Sequence, residues 1–212
     1  MDSIIKEACV EGYQEAILAE KLGADRIELC SYLDKDGLTP ERDTILDVLS
    51  SISIPVKIMI RPRAGNFVYN EKEICQMEEE ISFCKSNGVK EVVFGVLDTQ
   101  NRIDKDLVKR LVNISYPMRV TFHKAIDCTD NIKEGFEQLI KCKAVTSVLT
   151  SGKGKFVLEN RNLINEIIQL YKDKINIILA GGITNENLDD IQKSFECSEY
   201  HGRKIVGNLC SF

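Results

Sequence analysis

Glu7 and Cys9 stand two residues apart in one short apolar stretch, and Glu28 and Cys30 stand two apart in another. Side chains alternate along a strand, so each pair shares a face. Arg61 closes the run Val56 to Ile60, His123 follows Arg119 to Phe122, Ser151 follows Ser147 to Leu149, and His201 lies within Glu199 to Gly202. Neighbouring strands lie about 4.8 Å apart, which brings Cys9 and Cys30 within reach of one soft ion. Thiolates select Cu(I) and zinc over hard cations. With no evident third and fourth ligand, a tetrahedral structural zinc site is disfavoured. The same two thiols also suit the role of small buried core residues. Glu7 and Glu28 are expected to pair with Arg61, because buried charges need partners. The remaining cysteines, Cys75, Cys84, Cys128, Cys142, Cys197 and Cys210, read as packing residues, with Cys128 close to His123 in sequence.

A second chemistry fits the same strand ends. Residues 59–69, MIRPRAGNFVY, leave a strand at Pro62 and present Arg61 and Arg63 at its carboxyl end, where α/β proteins place ligands. A guanidinium offers planar donors suited to a carboxylate or phosphate. Histidine exchanges protons near neutral pH, so His123, with Glu28, is the candidate catalytic pair of an enzyme acting on a small anionic metabolite. The alternative assigns Arg61 to neutralising buried carboxylates and Arg63 to solvent. Ser151-Gly152 and Gly181-Gly182 suggest backbone amides open to an anion, although tight turns need glycine as well. No motif for an organic cofactor is evident.

These residues must be positioned by an alternation of strands and helices. Strands are predicted at Lys6 to Val10, Arg26 to Cys30, Val56 to Ile60, Glu91 to Phe94, Arg119 to Phe122, Ser147 to Leu149 and Asn176 to Ala180, with a weaker eighth at Glu199 to Gly202. Between them, Tyr13 to Leu22 reads as a helix ended by Gly23. Thr39-Pro40 reads as the start of another helix, burying Ile45, Leu46 and Leu49. Asn70 and Glu73 form a capping-box pair before Ile74, Met77, Ile81 and Cys84. Strands joined by helices imply right-handed parallel crossovers. Seven clear units and an eighth favour a (β/α)8 TIM-like barrel over residues 1–212, with its last helix short or absent.

Composition narrows the class. The chain has 212 residues, 43% hydrophobic, with a net charge of −5, which speaks against a general nucleic-acid binder. No window approaches the roughly 20 apolar residues that span a bilayer, and no secretory signal is visible. Eight scattered cysteines without a CxxC pair read as free thiols of a cytoplasmic protein.

The segments GADRIELCS (23–31), GLTP (37–40), IPVKIMIRPRAGNFVY (54–69), VTFHKAID (120–127) and LTSG (149–152) together resemble the CutC family. The resemblance runs from Ile5 to about Gly202. It implies a TIM-like barrel, a cytoplasmic setting, homo-oligomers, and a role in copper homeostasis through Cu(I) binding. The family's copper cysteines fall on Cys9 and Cys30, and its shared polar residues on Glu7, Glu28, Arg61, Arg63, His123 and Asp127. Ala64 and Lys124 stand where the family usually has glycine and arginine. Many members also continue well beyond the histidine of the eighth strand.

Overall fold

The computed structural model describes residues 4–209. Eight parallel strands close into a barrel in sequence order. They are β1 (Ile5–Glu11), β2 (Arg26–Cys30), β3 (Val56–Met59), β4 (Glu91–Phe94), β5 (Arg119–Phe122), β6 (Val145–Thr150), β7 (Asn176–Leu179) and β8 (Glu199–Gly202). The weak eighth strand is real: it pairs with both β7 and β1 and completes the ring. The helices are α1 (Tyr13–Lys21), α2 (Arg42–Ser51), α3 (Glu71–Ser86), α4 (Lys105–Ser115), α5 (Ile132–Lys141), α6 (Arg161–Tyr171) and α7 (Leu188–Ser194). Among the described residues no helix follows β8. Cys210 and the end of the tail at Phe212 lie outside the described residues.

Two local expectations need correction. Thr39 does not cap α2, which starts two residues beyond Pro40. Its hydroxyl accepts from the Arg61 amide instead, at 2.8 Å, tying the loop after β2 to the end of β3. The buried face of α2 is Ile45 and Val48, and Leu46 is 40% exposed. The capping box at Asn70 and Glu73 forms as expected, and Ile74, Met77, Ile81 and Cys84 are all buried.

Strand alternation sorts the interior into two chemistries. Outward residues such as Val10, Leu29, Ile58, Phe94, Phe122 and Tyr200 join one continuous core beneath the helices. Each such burial contributes roughly 1.5–3 kcal/mol, and this layer holds the ring together. Inward residues belong to other groups. Cys9, Cys30, Met59 and Val93 form one small luminal cluster, and Leu149, Ile178 and Ala180 form another. The rest of the lumen is polar.

Candidate functional site: a luminal thiol–carboxylate centre

The amino-terminal half of the lumen is a closed charge network. Glu7, fully buried, accepts from Arg26 Nε, lies 3.0 Å from Lys57 Nζ and 2.8 Å from His201 Nδ1. Lys57 also reaches Glu91 Oε1 (2.9 Å) and donates to Thr121 Oγ1 (2.9 Å). Arg26 Nη2 reaches Glu199 (2.6 Å), and Arg119 reaches Glu91 (3.2 Å). Burial alone would raise the pKa of Glu7, but Lys57, His201 and Arg26 outweigh it and hold the carboxyl well below its usual value. The expected partner was Arg61, and that pairing is wrong. Lys57 precedes Arg61 by four residues on the same strand face, two layers deeper, and so meets Glu7 first.

Above this network sit the thiols. Cys9 Sγ and Cys30 Sγ are 3.9 Å apart, and each lies 3.6 Å from Glu28 Oε2. Their register explains the meeting: Cys9 pairs with Glu28 across β1 and β2, and Cys30 is two residues further on. Glu28 Oε2 is also 3.7 Å from His201 Nε2, so Glu28 bridges the charge network and the thiols. Its Oε1 has no partner. Burial raises the Glu28 carboxyl well above the usual carboxylate range. The hydrogen bond with Cys30 pulls the Cys9 thiol down against burial, and the same bond together with burial pushes Cys30 well up. Of the two, Cys9 is thus the sulfur favoured as thiolate. Burial opposes the charge on His201, yet Glu28, Cys9 and Glu7 outweigh it and raise its pKa well above the ordinary value.

Loops close the thiols from above. Leu33 packs against the cluster. Gly37, at φ +82°, leaves only 3.2 Å between Cys30 Sγ and the place a Cβ would take. Glu11 accepts from the amides of Tyr32 and Leu33 and anchors this turn.

The remaining sequence candidates lie around that mouth. Arg61 Nη1 donates to the carbonyls of Lys35, Asp36 and Gly37, and Nη2 donates to that of Gly65, stapling two loops together. Arg63 is about one-third exposed and also holds Glu73 (2.6 Å) and the carbonyls of Ala64, Asn66 and Val68. His123 is buried beside Phe67, with ring centroids 4.9 Å apart, and its Nδ1 accepts from the Ala125 amide. Burial and the Arg61 charge lower its pKa to about 3. Desolvation, with the Arg61 charge, thus favours the neutral imidazole. The amides of Ser151 and Lys153, with the hydroxyls of Thr150 and Ser151, converge on Asp127, so the protein's own carboxylate occupies that cradle. The Gly152 amide is spent on Thr150 Oγ1. Gly181 packs on the backbone at Lys155 and Val157, and Gly182 on the Phe156 ring, which accounts for both glycines as close approaches.

Sequence reasoning missed Lys57, Arg26 and Met59. The signal was present in β3, where strict alternation puts Lys57 and Met59 on the face that carries Arg61.

Fold and site together define a parallel β/α barrel with a buried dithiol–carboxylate centre in its lumen. The CutC family profile matches residues 4–206. A human copper homeostasis protein cutC homolog is 39% identical over 94% of this chain and 73% of its own length. A CutC family protein of Mesorhizobium japonicum is 35% identical over 92% of this chain and 75% of its own. Among solved structures, a CutC protein from Streptococcus agalactiae superposes with a TM-score of 0.90 at 31% identity, covering 95% of this chain and 99% of that one. The chain belongs to the CutC family.

Proposed function

We propose that this chain binds Cu(I) through Cys9 and Cys30 and serves copper homeostasis in the cytoplasm. One observation carries the reading: two buried sulfurs 3.9 Å apart. Metal–thiolate bonds run about 2.3 Å, so a single soft ion fits between these sulfurs. The surroundings match the ion. Glu28 offers an oxygen 3.6 Å from both sulfurs, and the wall is apolar, including the Met59 side chain with its soft thioether. Cys9, Glu28 and Cys30 satisfy the spacing of a three-ligand site. Thiol ligands must lose their protons to bind a metal, so affinity should rise with pH. The cytoplasmic setting rests on seven described cysteines that are all free, as a reducing compartment keeps them. No helix among the described residues is long and apolar enough to cross a membrane.

Anaerobic Cu(I) titration against a competing chelator tests the assignment. Cys9→Ser and Cys30→Ser should each weaken binding by well over about tenfold, while Arg63→Gln leaves it unchanged. Affinity equal to that of the native chain in both cysteine variants would remove the thiols from the site.

Self-association is the second part of the proposal. Among the described residues, a groove of about 1070 Å³ lies outside β7, β8 and β1, between α6, α7 and the end of α1. Ile4, Leu22, Ile177 and Val206 are among the residues lining it, and a second copy would cover it. Light scattering should give an oligomer at micromolar concentration, and a monomer would refute this part.

A further inference from the structure

Among the described residues, Arg61 is a buried cation with no carboxylate in ion-pair contact. It is 4% exposed, its Nη atoms are spent on neutral carbonyls, and none of the described carboxylates forms an ion pair with it. A guanidinium removed from water without a negative partner is costly. Its Nε–H, moreover, has no acceptor.

Two more orphaned polar atoms lie beside it. Tyr69 is 9% exposed, and its hydroxyl lies in loose hydrogen-bonding reach of the Arg61 guanidinium, with no other partner and no bond of full geometry. His123 is 4% exposed, and its Nε2 is unpartnered. Because Nδ1 accepts from Ala125, the neutral ring carries its proton on Nε2 and is a donor there. The sheet register brings His123 and Arg61 face to face. Met59 pairs with Val93 and Phe94 with Phe122, so Arg61, Gly95 and His123 stand level on three consecutive strands. Gly95 has no side chain, and the imidazole lies 2.4 Å from where its Cβ would be, leaning toward β3. Phe67 touches both, 5.0 Å from the Arg61 guanidinium carbon and 4.9 Å from the His123 ring.

We propose that Arg61 Nε, Tyr69 Oη and His123 Nε2 form a binding site for a small oxyanion, a carboxylate or phosphate group, at the carboxyl ends of β3 and β5. Three donors and one uncompensated positive charge call for an acceptor that is itself negative. A water molecule would satisfy hydrogen bonds but leave the charge of Arg61 unanswered. The half-exposed turn 62–68 covers the site. The site is independent of the thiol centre, although Arg61 holds the Gly37 carbonyl beside Cys30.

The test is proton–nitrogen NMR of the imidazole groups in the metal-free protein. The chain has two histidines, and His123→Asn assigns the signals. Inorganic phosphate and acetate are titrated separately, with sodium chloride as the ionic-strength control. The expected result is a saturable shift of the His123 Nε2–H signal with one of the anions, in the native chain and in Cys9→Ser alike. Loss of a hydrogen bond to a charged group weakens binding about tenfold or more, and Tyr69→Phe should do so without threatening the fold. No saturable shift with either anion, a response matching sodium chloride, or equal affinity in Tyr69→Phe would overturn the site. Survival of the anion response in Cys9→Ser separates this outcome from the fate of the copper proposal.

Discussion

The two halves of the barrel lumen use similar residues to opposite ends. Toward the amino ends of the strands, Glu7, Arg26, Lys57, Glu91, Thr121 and Glu199 meet partners of opposite charge or matching hydrogen-bond sense. Toward the carboxyl ends, Glu28 Oε1, Arg61 Nε, Tyr69 Oη and His123 Nε2 are buried without partners, four of the five such atoms among the described residues. A satisfied polar network specifies structure, whereas groups left unsatisfied against their desolvation cost call for a ligand. The division coincides with the face on which barrels of this kind place their sites.

The largest expected effect comes from breaking the satisfied half. Lys57→Met leaves Glu7 and Glu91 without the ammonium between them. Removing one member of a buried ion pair costs about 3–5 kcal/mol, and denaturant unfolding should register a loss in that range. A loss below about 1 kcal/mol would mean that solvent or Arg26 compensates and that the lower network is not the structural half.

An intermediate effect follows from pH. The folded pKa of Glu7 lies below its ordinary value of 4.5, so the ionised form is favoured by folding. Its contribution is present above that ordinary value and is lost as pH falls through the folded pKa. Unfolding free energy should therefore decline on acidification below about pH 4.5, and Glu7→Gln should show a shallower decline over the same window. Equal slopes in the two proteins would refute the assignment of Glu7 as the titrating group.

Much of the architecture was legible because its causes are local. Short apolar runs marked the first seven strands, while β8, Glu-Tyr-His-Gly with no β-branched residue, was only weakly marked, and Asn70 with Glu73 marked the start of α3. Height within the lumen was less legible. Alternation says that Lys57, Met59 and Arg61 share a face, but only the stagger of neighbouring strands decides which of them meets Glu7. The burial of His123 was hidden for a similar reason, since it depends on Phe67 and Gly95, both distant in sequence. Cys9 and Cys30 were legible as a pair because adjacent strands bring them together. The role of Ser151 was not, because Asp127 reaches it from the loop after β5.

The smallest expected effect is the sharpest probe of the unsatisfied half. Tyr69→Phe deletes one oxygen and keeps the ring, including its stacking under Arg63 at 5.1 Å. Where a buried hydroxyl is hydrogen-bonded, its removal costs about 0.5–1.5 kcal/mol. Here the hydroxyl has only a loose contact with Arg61, so the native fold has borne most of its desolvation without return. Removing it should leave stability unchanged or raise it by about 1 kcal/mol, measured in anion-free buffer by denaturant unfolding. In phosphate or acetate the order should reverse, because a ligand that binds only the folded state stabilises the native chain more than the variant. A loss of stability in Tyr69→Phe that is the same in every buffer would give the hydroxyl an internal partner, and Tyr69 would then belong with Lys57 among the structural groups.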